Sequence, residues 1–102
     1  MSRAYTPEEA RQNLLQHIKH LSEYWARLPG KTPAERCDGL AFSILNIFDG
    51  CSGGMPAFDL IPSPHADDKE FYQSQGENWY EPVVINDCML HELFDIGQKG
   101  GA

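Results

Sequence analysis

The chain has 102 residues, too few for a second hydrophobic core, and reads as a single domain. With 41% hydrophobic and 23% charged residues it has the balance of a folded globular protein, and no apolar run approaches the roughly 18 residues of a membrane span. Fifteen acidic against eight basic residues give a net charge of −7, which sets the surface against phosphate backbones, argues against direct nucleic-acid binding and favours basic partners.

Thr6-Pro7-Glu8-Glu9 supplies a capping hydroxyl, a proline at the first helical position and a glutamate three residues after the cap. Leu14, Ile18, Leu21, Trp25 and Leu28 follow at helical spacing on one face, and Pro29-Gly30 ends the helix. The same signal returns at Thr32-Pro33-Ala34-Glu35 and predicts a second helix to about Phe48. Its apolar stripe is Cys37, Leu40, Ala41, Ile44, Leu45 and Phe48. So short a linker makes the pair an antiparallel hairpin.

Asp49 to Gly54 is a glycine-rich loop, read as a flexible hinge. Beyond it, Ala57–Ile61 reads as a short edge strand between Pro56 and Pro62. A brief helix follows over Ala66–Tyr72, its first turn rich in carboxylates, and Gly76 stops it. Trp79 to Ile85 is the second strand, with Val83-Val84-Ile85 the strongest β signal in the chain. Asn86 or Asp87 then caps a final helix bearing Met89, Leu90, Leu93 and Phe94.

The expected fold is therefore α+β: a helical hairpin, then a short two-stranded antiparallel β element with an intervening helix, then a C-terminal helix. One domain spans 1–96, with a flexible tail over 97–102. Two strands alone are marginal, so they pair against the helices or are completed by a second copy of the chain, as a homodimer.

Cys37, Cys51 and Cys88 are odd in number and form no C-x-x-C pair, so no disulfide framework is indicated. Cys37 and Cys88 sit among apolar residues and read as small hydrophobes; Cys51 reads as an exposed thiol. Met1 to Glu9 lacks the basic-then-apolar layout of a secretion signal. These features point to the cytoplasm.

Several constellations bear on chemistry. The Asp49–Gly54 loop follows a helix and precedes a strand, the wrong polarity for a phosphate cradle, and it lacks a lysine. His65, Asp67 and Asp68, with Asp87, His91 and Glu92, have ligand types suited to a divalent metal; the set His65, Asp67, Asp87 and His91 is the metal alternative. Against it, first-turn aspartates are ordinary helix chemistry, and His91 can hydrogen-bond Asp87 one turn away. Cys51 with His65 or His91 satisfies the inventory of a nucleophile and base without any indication that they meet. His17 and His20 read as solvent-facing or flanking residues of the first helix, three apart with no obvious third metal ligand. Gly76 to Pro82 places Trp79 and Tyr80 beside Asn78, an aromatic pair suited to stacking on a flat ligand or anchoring a protein.

From Glu35 to Phe94 the chain resembles a group of short, uncharacterised proteins of tailed bacteriophages and prophages. The resemblance rests on Glu35 to Leu45, Asp49-Gly50, Pro56 to Leu60, Pro64-His65, Asp67 to Lys69, Gly76 to Tyr80 and Asn86 to His91. It implies an accessory viral role in a bacterial cytoplasm and carries over no functional residue.

The reading that follows is a non-enzymatic accessory binding protein that engages a host protein or a small molecule, without membrane or nucleic-acid contact and without a required cofactor. Its contact residues are His65, Asp67, Asp68, Asn78, Trp79 and Tyr80. The alternatives are a small metal-dependent hydrolase and a self-associating assembly factor.

Overall fold

A computed structural model describes residues 2–94, and the tail expected over 97–102 lies outside them. The first helix, α1, spans Pro7–Arg27, and the second, α2, spans Pro33–Phe48. Both open on complete capping boxes: the Thr6 and Thr32 hydroxyls accept from the Glu9 and Glu35 amides at 3.1 Å, and each glutamate accepts from its threonine's N–H. Arg3 adds a two-pronged contact to the Glu9 carboxylate at 2.7 Å.

The helices pack against each other as the expected hairpin. Arg36 holds the corner by donating to the Leu28 carbonyl from Nε at 3.3 Å and Nη2 at 3.0 Å, which satisfies a group left open where α1 ends. Across the pair, Trp25 sits against the α2 backbone at Gly39 and donates its indole N–H to Ser43 Oγ at 3.0 Å. The α1 stripe faces inward and is half-buried along its length. On α2, Cys37 is exposed, as is Cys88, so neither acts as the small core hydrophobe expected. Ile47, outside the predicted stripe, is the one fully buried hydrophobic residue among the described residues.

Helix α2 ends in a built stop. Gly50 (φ 81°) donates to the Ile47 carbonyl, and Cys51 donates to the Asn46 carbonyl, the two bonds of a Schellman cap. A Cβ at Gly50 would come within 2.9 Å of the Ala57 methyl, so this corner needs glycine for space as well as for its dihedral. The segment read as a hinge thus begins with a defined capping structure.

The α+β expectation is overturned in the second half. Among the described residues there are four helices and no strand: α3 spans Asp68–Ser74, and α4 is described over residues 90–94. The stretches Ala57–Ile61 and Trp79–Ile85 do meet, but one backbone bond joins them, from Ile85 N–H to the Leu60 carbonyl at 2.9 Å. The side chain of Asn86 supplies the rest, accepting from Leu60 N–H at 2.7 Å and donating to the Phe58 carbonyl at 2.6 Å. A primary amide here stands in for a peptide of a neighbouring strand. Pro56 and Pro62 bracket one stretch and Pro82 interrupts the other, where Val83 N–H turns back onto the Glu81 carbonyl at 2.9 Å. Proline removes ladder donors, so β-branched residues alone do not make a sheet. Phe58 anchors the first stretch to α2 by an N–H bond to the Phe48 carbonyl at 3.1 Å and an edge-on ring contact with Phe48.

Candidate functional site

Two arrangements gather polar side chains. The first lies where α2 ends and α4 begins. Asp49, the C-cap of α2, extends its carboxylate to the start of α4 and accepts from Leu90 N–H at 2.9 Å and His91 N–H at 2.8 Å. The same carboxylate accepts a hydrogen bond from His91 Nδ1, and the Asp49 side chain is 0% exposed. Burial alone would raise the Asp49 pKa; the His91 amide, its imidazole and the Leu90 amide outweigh that and hold the acid below its ordinary value. The cap of α4 therefore comes from a residue 42 positions away, not from Asn86 or Asp87. Phe42 meets the His91 ring edge-on, fixing its plane.

This pairing fixes the imidazole tautomer. With Nδ1 donating to a carboxylate, the neutral ring carries its lone pair on Nε2, as in aspartate–histidine pairs that orient a base. Among the described residues no nucleophile joins it: the Cys51 thiol contacts the Asp49 backbone carbonyl at 4.0 Å and the imidazole of neither His65 nor His91. The chemistry expressed is that of a charged cap.

The second arrangement is a groove of about 200 Å³ between the start of α3 and the segment after it. His65, Asp68, Trp79 and Tyr80 line it together with Lys69 and Glu81. Asp68 accepts from the His65 N–H at 2.9 Å, folding the chain into α3. The Trp79 indole is held from two sides: its N–H donates to Glu81 at 2.7 Å, and the Lys69 ammonium stands 5.0 Å above the ring centre. Lys69 and Glu81 also approach each other at 3.9 Å, closing a small network around the indole. Tyr80 projects free and is 75% exposed. Of the six residues named from sequence, four line this groove. Asn78 lines an adjoining shallow depression with Trp79 and Glu81, and Asp67 is exposed beside the groove.

The metal alternative is not assembled. His91 is committed to Asp49, while His65 Nδ1 accepts from the Asp67 N–H at 3.2 Å and is occupied locally. Asp87 lines a separate open depression with Asp49, Asp59 and Cys88. Among the described residues no three His, Cys, Asp or Glu side chains converge in a way that could hold a metal ion. His17, read as a solvent-facing or flanking residue, is half-buried, and its Nε2 lies 2.8 Å from Ser52 Oγ.

Sequence reasoning passed over Asp49, Asn86 as a clasp, Lys69 and Glu81. Only the last two carried a local signal: each lies close in sequence to an aromatic or a histidine of the predicted surface. The chain matches no protein-family model, no curated protein and no solved structure. No helix among the described residues is long and apolar enough to cross a membrane.

Proposed function

We propose that the chain is a binding protein, of the accessory kind carried by phages, that engages a bacterial host protein or a small molecule through the Trp79–Tyr80 groove. The observation that supports this is the contrast between the two adjacent rings. Trp79 is fixed in place by Glu81 and Lys69, whereas Tyr80 stands almost entirely in solvent. A locked aromatic beside a free one gives a partner a rigid platform with little ordering cost. Asp68 and Glu81 in the groove, with Asp67 beside it, outnumber the one cation there, Lys69, which suits a partner with basic groups at the rim.

The test compares the native chain with Tyr80→Ala in a bacterial lysate pull-down and in a small-molecule thermal-shift screen. A protein or compound retained by the native chain and lost in Tyr80→Ala supports the reading. Empty results from both, or retention unaffected by the substitution, overturn it.

A further inference from the structure

A pocket that encloses a small molecule has a volume of roughly 300–1,000 Å³. The groove at Trp79 holds about 200 Å³, which is scaled to a single side chain. The chain itself shows of what kind. The Lys69 ammonium stands 5.0 Å above the centre of the Trp79 ring and 3.9 Å from Glu81 Oε1, the same oxygen that accepts the indole N–H. A cation is thus already seated on an aromatic face with a carboxylate at its edge, and each of the two attracts a basic side chain.

Lys69 fills that seat loosely. At 3.9 Å its ammonium is beyond hydrogen-bond reach of Glu81. The Lys69 side chain is 54% exposed and that of Glu81 57%, so water screens the pair. Glu81 Oε2 has no hydrogen-bond partner among the described residues. A guanidinium matches what is left over better than an ammonium does. It is planar, so it lies flat on a ring, and its forked N–H donors engage a carboxylate where an ammonium offers a point charge.

We infer that the groove receives an arginine side chain of the partner, and that Lys69 is an internal stand-in which the arginine displaces. The assignment rests on the Trp79–Tyr80 groove being the binding surface, and it narrows the partner to a protein that presents an exposed arginine. The incoming guanidinium stacks on the indole and donates to Glu81, while the Lys69 ammonium moves out into water. What is given up is one exposed ion pair, so displacement costs little. Asp68 lines the same groove, and the net charge of −7 draws a cationic segment toward it.

The test titrates N-acetylargininamide, and N-acetyllysinamide beside it, into the isotope-labelled chain at constant ionic strength. The two tryptophans give two indole N–H signals, and Trp79→Phe assigns them. The Trp25 indole, bonded to Ser43 inside the hairpin, reports whether each variant keeps its fold. The expected result is a saturable shift of the Trp79 signal, with arginine bound about two- to fivefold more tightly than lysine. Glu81→Gln, which keeps an acceptor for the indole but not the charge, abolishes it. Lys69→Met empties the seat and tightens binding, whereas Lys69→Arg leaves the net charge unchanged, installs a stronger internal rival and weakens binding about two- to fivefold. A Trp79 signal that arginine does not move in Lys69→Met overturns the inference. So do arginine and lysine probes that bind alike, or a Lys69→Arg chain that binds arginine as the native one does. A lysate protein held through Tyr80 yet still retained by Glu81→Gln overturns the arginine assignment while leaving the groove as the binding surface.

Discussion

The indole of Trp25 occupies the space that a side chain at Gly39 would need. A Cβ built there would lie 2.4 Å from two ring atoms, far inside van der Waals contact. Replacing glycine by alanine within a helix ordinarily stabilises it by about 1 kcal/mol. At Gly39 the sign reverses: Gly39→Ala pushes Trp25 off α2 and lengthens its bond to Ser43, costing about 1–3 kcal/mol. Urea denaturation of the two proteins checks this, and a gain in stability would refute the packing described.

The Asp49 carboxylate serves two backbone donors and an imidazole while fully buried. Asp49→Ala removes all three partners at once and leaves their N–H groups unsatisfied, a loss of about 2–4 kcal/mol. Hydrogen exchange should localise the change, with faster exchange of the Leu90 and His91 amides.

Acid weakens the fold through carboxylates that the structure holds ionised. Asp49 is held below its ordinary pKa, burial opposing and the His91 and Leu90 donors prevailing, so its contribution is complete above the usual carboxylate range and fades as pH falls through its folded value. Glu9 behaves alike: the Arg3 contact foremost, then the Thr6 amide, lower it to about 2. Melting temperature should decline from about pH 4 downward. Asp49→Asn should flatten that decline, because the group that must be protonated is gone.

Asn86 is the clasp between the two extended stretches, with one acceptor and one donor used. Asn86→Asp keeps the acceptor for Leu60 but turns an oxygen toward the Phe58 carbonyl, costing about 1–3 kcal/mol near neutral pH. Stability should recover partly on acidification, when the new carboxyl gains a proton to donate. Thermal melts at neutral and acidic pH distinguish the two states.

The first half of this fold was legible because its signals are local. A threonine, a proline and a glutamate within four residues specify a helix start wherever they occur, and both starts are where the sequence places them. The β reading of Val83–Ile85 failed because propensity describes a residue's fit to a pleated surface, not the presence of a neighbour to pair with. Asn86 supplied by side chain what a strand would have supplied by backbone. Trp79, Tyr80, His65 and Asp68 were nameable as surface residues from composition, but their shared groove depends on Lys69 and Glu81 bracing the indole. Asp49 was read as part of a loop, since nothing next to it announces a helix that begins 41 residues later.

The link between Asp49 and Leu90 also sets an order of assembly. Helices α1 and α2 need only neighbours in sequence, so they can form as soon as they leave the ribosome. The end of α2 must then wait for roughly forty further residues to be synthesised before its carboxylate finds the amides it caps. A nascent chain stalled short of Leu90 leaves the Asp49 carboxylate in water at the negative end of α2, without the two amides that offset that placement in the finished fold.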